Sequence, residues 1–463
     1  MANSQAVFLE GSLFKHITVM SLTSSVGLMA VFLVDFVDMI FISMLGKEEL
    51  AAAIGYAGAI LFFTSSFGIG MAIAGGALVA RALGAGDEAL ARRRAGTTLF
   101  YGVLIGSLFS ALVWVNLPTL VALLGASDAT QDLAVGYLRI IIPSLPLLLV
   151  GMVGGAILRA HGDARRAMMA TIIGGLVNAV LDPILIFGLN LELTGAAIAS
   201  VCARVAIAAV ALIPIFRHHG GLARPSLPDL RLDLSPILAL AAPAILTQLA
   251  TPVGQAIVTR SMAQYGEDAV AGMAIIGRLT PVAFGVLFAL SGAVGPIVGQ
   301  NFGAGKQERV KRTYVEAMAF TALVVLVVSA VLFFLREPIV ALFSATGEAR
   351  SLVFLFCGPL ALAFFFNGMI FVSNASLNNI GYPYTSTWVN WGRHTLGTIL
   401  PILAFSAWLG AEGVLIGQAF GGIVFGLLSF VLVRRIMAIA TDAPTQEPFA
   451  RHARLMALFH RHR

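Results

Sequence analysis

The chain has 463 residues, of which 59% are hydrophobic and only 11% charged, against about 25% charged in a soluble domain. A soluble protein of this length would divide into about three domains with charged surfaces, and this chain lacks the charge to cover them. Soluble enzymes, nucleic-acid-binding proteins and disordered chains are excluded, and the solvent for most of the chain is lipid. The net charge of +6 fits basic loops of a membrane protein. The two cysteines, Cys202 and Cys357, both lie in apolar stretches and give neither a disulfide framework nor a metal-ligand spacing.

A spanning helix needs about 20 mainly apolar residues. Twelve such runs follow one another: 14–44, 50–80, 95–124, 133–158, 167–189, 195–216, 236–264, 269–300, 313–335, 350–377, 384–409 and 412–433. No cleavable signal pattern precedes the first, so it is expected to stay in the membrane. The loops after even-numbered runs, with both termini, hold 21 of the 29 basic residues. The opposite loops hold Lys47, Arg336 and Arg350, and are otherwise acidic. Both termini are therefore expected in the cytoplasm. The tail ARHARLMALFHRHR (450–463) reads as a basic amphipathic helix on the inner leaflet, or as a disordered end.

The chain repeats itself. ALVARALGAGDEALARRR (77–94) resembles GPIVGQNFGAGKQERVKR (295–312), with the GAG triplets 84–86 and 303–305 separated by 219 residues. LRAHGDARRAM (158–168) precedes LNNIGYPYTST (377–387) by the same offset, and DPILIFGLNLELTGAAIAS (182–200) precedes LPILAFSAWLGAEGVLIGQ (400–418) by 218. Six runs per half give both halves the same orientation, hence a parallel repeat about an axis along the membrane normal. Transporters built this way put their sites between or within the halves. The expected divisions are a first six-helix bundle over 1–217, a linker over 218–235, a second bundle over 236–436 and a tail over 437–463.

Charges inside the runs are few. Asp35, Asp38 and Asp182 sit deep in apolar sequence, all in the first half. A carboxylate near the bilayer centre costs about 2.5–3.5 kcal/mol on insertion scales. Such residues are functional candidates by default. Asp35 and Asp38 share one helix face, as do Asn178 and Asp182. A shift of about 220 carries Asp35 to Gln255 and Asp38 to Val258, and Asp182 falls on Leu400. The halves are thus chemically unequal. A clustered set of buried carboxylates holds a proton or a cation. The competing reading is fixed pairing with Arg204 or Arg139. Asn, Asp and hydroxyl oxygens at Asp38, Asn178 and Asp182 also suit sodium. Arg260, Arg278 and Arg393 lie in the second half, where snorkelling, backbone bonding or an anionic substrate group would account for them. His394 beside Arg393 reads as structural.

Phe364, Phe365, Phe366, Asn367, Met369 and Phe371 form an aromatic, methionine-containing face in the tenth run, and Tyr56, Phe62, Phe63 and Phe67 form one in the second. Lipid contact and packing explain such faces; so would a cavity for amphipathic compounds. The candidate cavity set is Tyr56, Phe63, Gln255, Arg278, Phe366 and Asn367. GAGD lacks the phosphate-loop lysine pattern, so no ATP site and no cofactor are expected, and the energy source is an ion gradient.

The segments VDMIFISMLGKEELAAAIG (37–55), GALVARALGAGDEALARRR (76–94), ILRAHGDARRAM (157–168) and VNAVLDPILIFGL (177–189), with their second-half counterparts, resemble the multidrug and toxic compound extrusion (MATE) family, most closely its DinF-like branch. The resemblance spans about 14–436. It implies an all-α membrane fold of twelve helices in two six-helix bundles, V-shaped and related by a pseudo-two-fold along the membrane normal. It implies a non-enzymatic antiporter in a bacterial-type inner membrane, acting as a monomer among membrane lipids. Amphipathic or cationic drugs would leave in exchange for protons or sodium. By the same resemblance Asp38, Asn178 and Asp182 match the coupling residues, and Ser200 sits where a hydroxyl of the sixth helix is expected. The first run lacks the proline common in the family; Ser and Thr residues 18–25 stand there instead and offer backbone bonds of their own. The alternative function is a lipid-linked-precursor flippase of the same wider superfamily, which the deep arginines favour. Nothing suggests a nucleic-acid partner.

Overall fold

The structure is a computed structural model that describes residues 6–126 and 128–441. The tail at 450–463 lies outside the described residues. These are helical almost throughout, without strands. The spans are α1 (Leu13–Ser43), α2 (Glu48–Gly84), α3 (Glu88–Val115), α4 (Ala129–Ala160), α5 (Ala164–Gly188) and α6 (Glu192–His218). They continue as α7 (Leu227–Met262), α8 (Glu267–Ala283 and Gly285–Gly303), α9 (Gln307–Leu342), α10 (Gly347–Ile380), α11 (383–409) and α12 (411–441). Helices reach past many of the expected ends, because polar residues at span ends still prefer helical backbone.

Eleven helical stretches are long and apolar enough to cross a membrane, and the last, Pro383–Ile439, turns back at Gly410 to make two. Gly410 stands at φ +60°, where a side chain would be strained. The returning helix packs tightly on α11. A Cβ on Gly413 would meet the Phe405 carbonyl, one on Gly417 would lie 2.7 Å from Ile402 Cα, and one on Gly421 would meet the Gly397 carbonyl. Glycines four apart on one face permit this approach.

Four turns explain the repeated motifs. Gly86, Gly162, Gly305 and Gly381 all have positive φ. In each case the next backbone N–H closes on a carbonyl five residues back: Asp87 on Ala82, Asp163 on Leu158, Lys306 on Asn301 and Tyr382 on Leu377, at 2.8–3.0 Å. This is the Schellman stop, which favours glycine. In the first half Asp87 and Asp163 then cap the following helices, accepting from Leu90 and Arg166. In the second half Lys306 and Tyr382 give no side-chain cap. The repeat preserves the turn and not the cap.

The chain forms two compact units. One comprises Val19–Leu83 and Asp87–Leu249; the other comprises Phe8–Thr18, Gly84–Gly86 and the described residues from Ala250 onward. The division falls inside α1 and α7 rather than within the expected linker at 218–235. The linker is also helical from Leu227. Ser226 and Asp229 cap one another reciprocally there.

Side-chain bonds explain the division. Leading into α7, Ala223 N–H donates to the Arg92 carbonyl, Tyr101 donates to the Leu230 carbonyl at 2.8 Å, and Arg93 grips buried Asp233 with two bonds. Thr97 donates to the same carboxylate at 2.9 Å. The residues before α1 are held in the other unit. Gln300 accepts from Phe8 N–H, and Asn301, Lys306 and Arg309 donate to carbonyls between Phe8 and Gly11. The lead-in to α7 is thus secured by α3, and the lead-in to α1 by the end of α8 and the start of α9.

Within the first unit, two apolar clusters fill the interior. One centres on Met71, Leu78, Leu149 and Ile157, the other on Leu117, Leu138, Ile142 and Ile186.

Candidate functional site

The site of interest lies in the first unit, where α1 and α5 run side by side. Small residues let them approach: a Cβ on Gly27 would meet Thr171, and one on Gly175 would lie 2.9 Å from Val34. One turn farther along, Asp38 faces Asn178. The Asn178 amide nitrogen donates to the two Asp38 carboxylate oxygens at 3.0 and 3.1 Å, and to Asp182 at 2.7 Å. Asn178 and Asp182 are four apart on α5, just before Pro183 ends its regular helix and a π-turn over Ile184–Gly188 begins. Asn178 is 5% exposed and Asp182 only 1%. Asp38 and Asp182 are also within hydrogen-bonding reach of one another.

One amide with two N–H groups therefore serves two carboxylates. The second Asp182 oxygen, Oδ1, is buried without a partner. A buried acceptor left unpaired costs about 1–3 kcal/mol, more if charged. None of the three deep acids makes an ion pair among the described residues. Arg204 donates instead to the Ile141 carbonyl at 3.1 Å and to Ser144 at 2.9 Å, bracing the 3-10 turn at Ile142–Ser144. Arg139 is exposed. A proton or a small cation completes such a donor set. The oxygens of Asp38 and Asp182 and the Asn178 carbonyl have the chemistry for sodium.

The structure brings together Asp38, Asn178 and Asp182. Asp35 is exposed, has no hydrogen-bond partner among the described residues and stands outside the cluster. Ser200 bonds Tyr137 of α4, and the Tyr137 hydroxyl lies within the electrostatic reach of Asp38 and Asp182. Sequence reasoning missed Tyr137: one tyrosine in an apolar run carries no signal until its partners are known. α1 is unbroken from Leu13 to Ser43. Of its hydroxyls, Ser25 donates to the Leu22 carbonyl at 2.8 Å, while Thr18, Ser21 and Ser24 have no partner.

The residues proposed for a cavity are scattered. Tyr56 donates to the Gly125 carbonyl at 3.4 Å. Phe63 packs with Phe67 and Phe109, the latter two stacked at 3.8 Å. Phe366 and Asn367 lie against Gly426 and Gly422 of α12. Gln255 and Arg278 are exposed, as is Arg260. The Arg393 guanidinium, midway along α11, has no partner among the described residues, and buried His394 packs against Gly254.

Comparison with known proteins agrees with this architecture. The MatE family profile matches residues 24–184 and again 243–403. The two matches are 219 residues apart. At that offset Asp35 aligns with Gly254, Asp38 with Ile257 and Asp182 with Pro401, rather than with Gln255, Val258 and Leu400. The second half still offers no carboxylate. The chain is 28% identical to the "FAD transporter" of Shewanella oneidensis over 90% of its own length and 93% of the relative's. It is 24% identical to "Multidrug export protein MepA" of Staphylococcus haemolyticus, over 92% and 94%. Among solved structures it is similar to "Crystal structure of MATE in complex with MaL6", with TM-score 0.89 and 23% identity over 96% of this chain and all of that one. The twelve-helix fold with its duplicated halves and the double profile match place this multi-pass membrane chain in the MATE family of transporters, which are not enzymes.

Proposed function

We propose that the chain is a secondary active exporter of amphipathic organic compounds, coupled to inward flow of protons or sodium through Asp38, Asn178 and Asp182. The observation that carries this reading is the single Asn178 amide shared between two carboxylates, with Asp182 Oδ1 unpartnered. When the site opens outward, water enters and a proton or cation neutralises the pair. The Asn178 bonds to Asp38 then rearrange, α1 repacks against α5 and the substrate leaves. Loss of the ion to the cytoplasm restores the charged pair. Asp35, one turn from Asp38, relays the ion. Both termini are cytoplasmic by the basic loops, in a bacterial-type inner membrane. The DinF-like branch, a monomeric state and the absence of any bound cofactor belong to the same reading.

For the substrate, the name "Multidrug export protein MepA" supports drugs. The second half supports another choice. Its arginines at 260, 278 and 393 lack partners among the described residues, and one relative is named for FAD. That favours an anionic compound, or the lipid-linked precursor of a flippase.

Purified protein in vesicles, with a pH gradient and a sodium gradient imposed separately, tests the reading. A cationic dye, FAD and a lipid-linked sugar would be supplied in turn. Gradient-driven movement of dye or FAD, lost in Asp38→Asn and Asp182→Asn, is expected. Movement of the lipid-linked sugar without any gradient would replace the exporter by a flippase.

A further inference from the structure

The second unit carries a feature that the coupling site does not use. A cavity of about 910 Å³ opens between α9, α10 and the start of α12. It sits toward the α9–α10 turn, at the far end of α9 from Gly305. Leu326, Ala330, Phe334 and Leu362 give it apolar walls, and Phe334 is 79% exposed at its rim. Polar groups are set into these walls. The Arg336 guanidinium lies 4.2 Å over the Phe333 ring and 5.1 Å from that of Phe354, with no carboxylate paired to it. Arg350, also in the lining, is paired with Glu337 at 3.0 Å. Glu412 lines the cavity with no hydrogen bond or ion pair among the described residues. Ser329, 6% exposed, belongs to the lining, and its buried hydroxyl has no hydrogen-bond partner among the described residues.

The backbone is also broken at this wall. Gly358 lies at φ −99° and ψ −116° inside α10, next to Pro359, and both line the cavity. Irregular backbone at membrane depth persists where it lines a cavity or is buried in protein.

We propose that this cavity binds a zwitterionic aminophospholipid, phosphatidylethanolamine by its chemistry. One unpaired cation and one unpaired anion share an apolar cavity. A phosphate meets Arg336 with charge-assisted bonds. A primary ammonium has three N–H donors for Glu412, Ser329 and the broken α10 backbone. The acyl chains follow the exposed edge at Leu326, Phe334 and Leu362 into the bilayer. The volume falls in the range of small-molecule sites, about 300–1,000 Å³, and suits a headgroup with the upper part of its chains. A choline headgroup has no N–H to donate. A glycerol headgroup offers hydroxyl donors but no positive charge to meet Glu412.

Native mass spectrometry of the full chain, delipidated in detergent and offered equal amounts of phosphatidylethanolamine, phosphatidylcholine and phosphatidylglycerol, tests the proposal without any transport readout. Phosphatidylethanolamine should be retained about tenfold over the other two, a preference that one hydrogen bond to a charged group supports. Glu412→Gln should bring phosphatidylethanolamine level with phosphatidylcholine, and Arg336→Gln should weaken retention of all three lipids, which share the phosphate. Ser329→Ala, the mildest change, should narrow the gap to phosphatidylcholine, and Arg312→Gln at the opposite end of α9 should change nothing. Equal retention by the wild type overturns the proposal, as does a preference unchanged in Glu412→Gln or total retention unchanged in Arg336→Gln. A preference for phosphatidylglycerol would mean an anion site only. Soluble phosphoethanolamine competing as well as the lipid would mean a soluble zwitterion. Either result rejects an aminophospholipid site.

Discussion

Asn178 reaches across 140 residues of sequence to hold both carboxylate oxygens of Asp38, at 3.0 and 3.1 Å. The amide nitrogen donates to both of these oxygens. The same nitrogen is engaged by Asp182. Protonation or cation binding at either carboxylate must therefore alter the bond to the other helix. In the proposed mechanism this bond links ion occupancy to the packing of α1 on α5.

Asp38→Asn and Asp182→Asn should each reduce gradient-driven transport by about tenfold or more, equivalent to roughly 1.4 kcal/mol. Both proteins should remain folded, because an amide satisfies the same neighbours without charge. Asp35→Asn should fall less, since Asp35 stands outside the bonded cluster. Initial rates in vesicles under an imposed gradient check the ranking. A variant at Asp35 that stops transport while Asp38→Asn spares it would reverse the assignment.

Arg93→Ala should destabilise the protein by about 3 kcal/mol, as breaking a buried pair does, because Asp233 has a side chain only 2% exposed. The double variant Arg93→Ala with Asp233→Ala should recover part of the loss. The difference is the signature of an uncompensated buried charge, and a double-mutant cycle measures it. Apparent melting temperatures of the four proteins in one detergent give the cycle.

Acid should destabilise the turn between α4 and α5. Burial lowers the His161 imidazole to about 4. Burial pushes the Asp163 carboxyl up, but the bonds from His219 and Arg166 outweigh it and hold it at about 2. For His161 the unfolded chain binds the proton first, so stability falls as pH drops from 6.5 toward 4. For Asp163 the contribution is present above its ordinary value of 3.8 and is lost as pH falls toward 2. Each group adds a slope of at most about 1.4 kcal/mol per pH unit. His161→Asn should flatten the upper window and Asp163→Asn the lower one, in melting temperature recorded against pH.

Gly421→Leu should abolish folding of the α11–α12 hairpin, and Gly421→Ala should already cost several kcal/mol. The added carbon falls on the Gly397 carbonyl, which is backbone and has no rotamer to escape into. Gly277→Ala, where a Cβ meets nothing, is the matched control and should fold normally. Yield of monodisperse protein after detergent extraction separates the two.

Composition alone placed the chain in lipid, because 11% charge cannot hydrate a surface of this size. Repetition at a fixed offset revealed two halves, since each Schellman turn needs its glycine wherever the chain reverses. The rarity of charge in apolar runs singled out Asp38 and Asp182, because burying a carboxylate is costly anywhere in a bilayer. Those inferences depend on local chemistry, which residue order carries. Other features depend on which distant residues meet. That Asp35 stands apart, that Ser200 bonds Tyr137 rather than the acids, and that Arg204 braces α4 all follow from helix rotation and packing. The division between units inside α1 and α7 came from bonds such as Arg93 to Asp233, which no periodicity encodes. Arg336 stands in the sequence as a loop charge and Glu412 at the first position of the twelfth apolar run. Only the fold set them in one cavity, because a helix fixes the direction of a side chain but not the neighbour it will face.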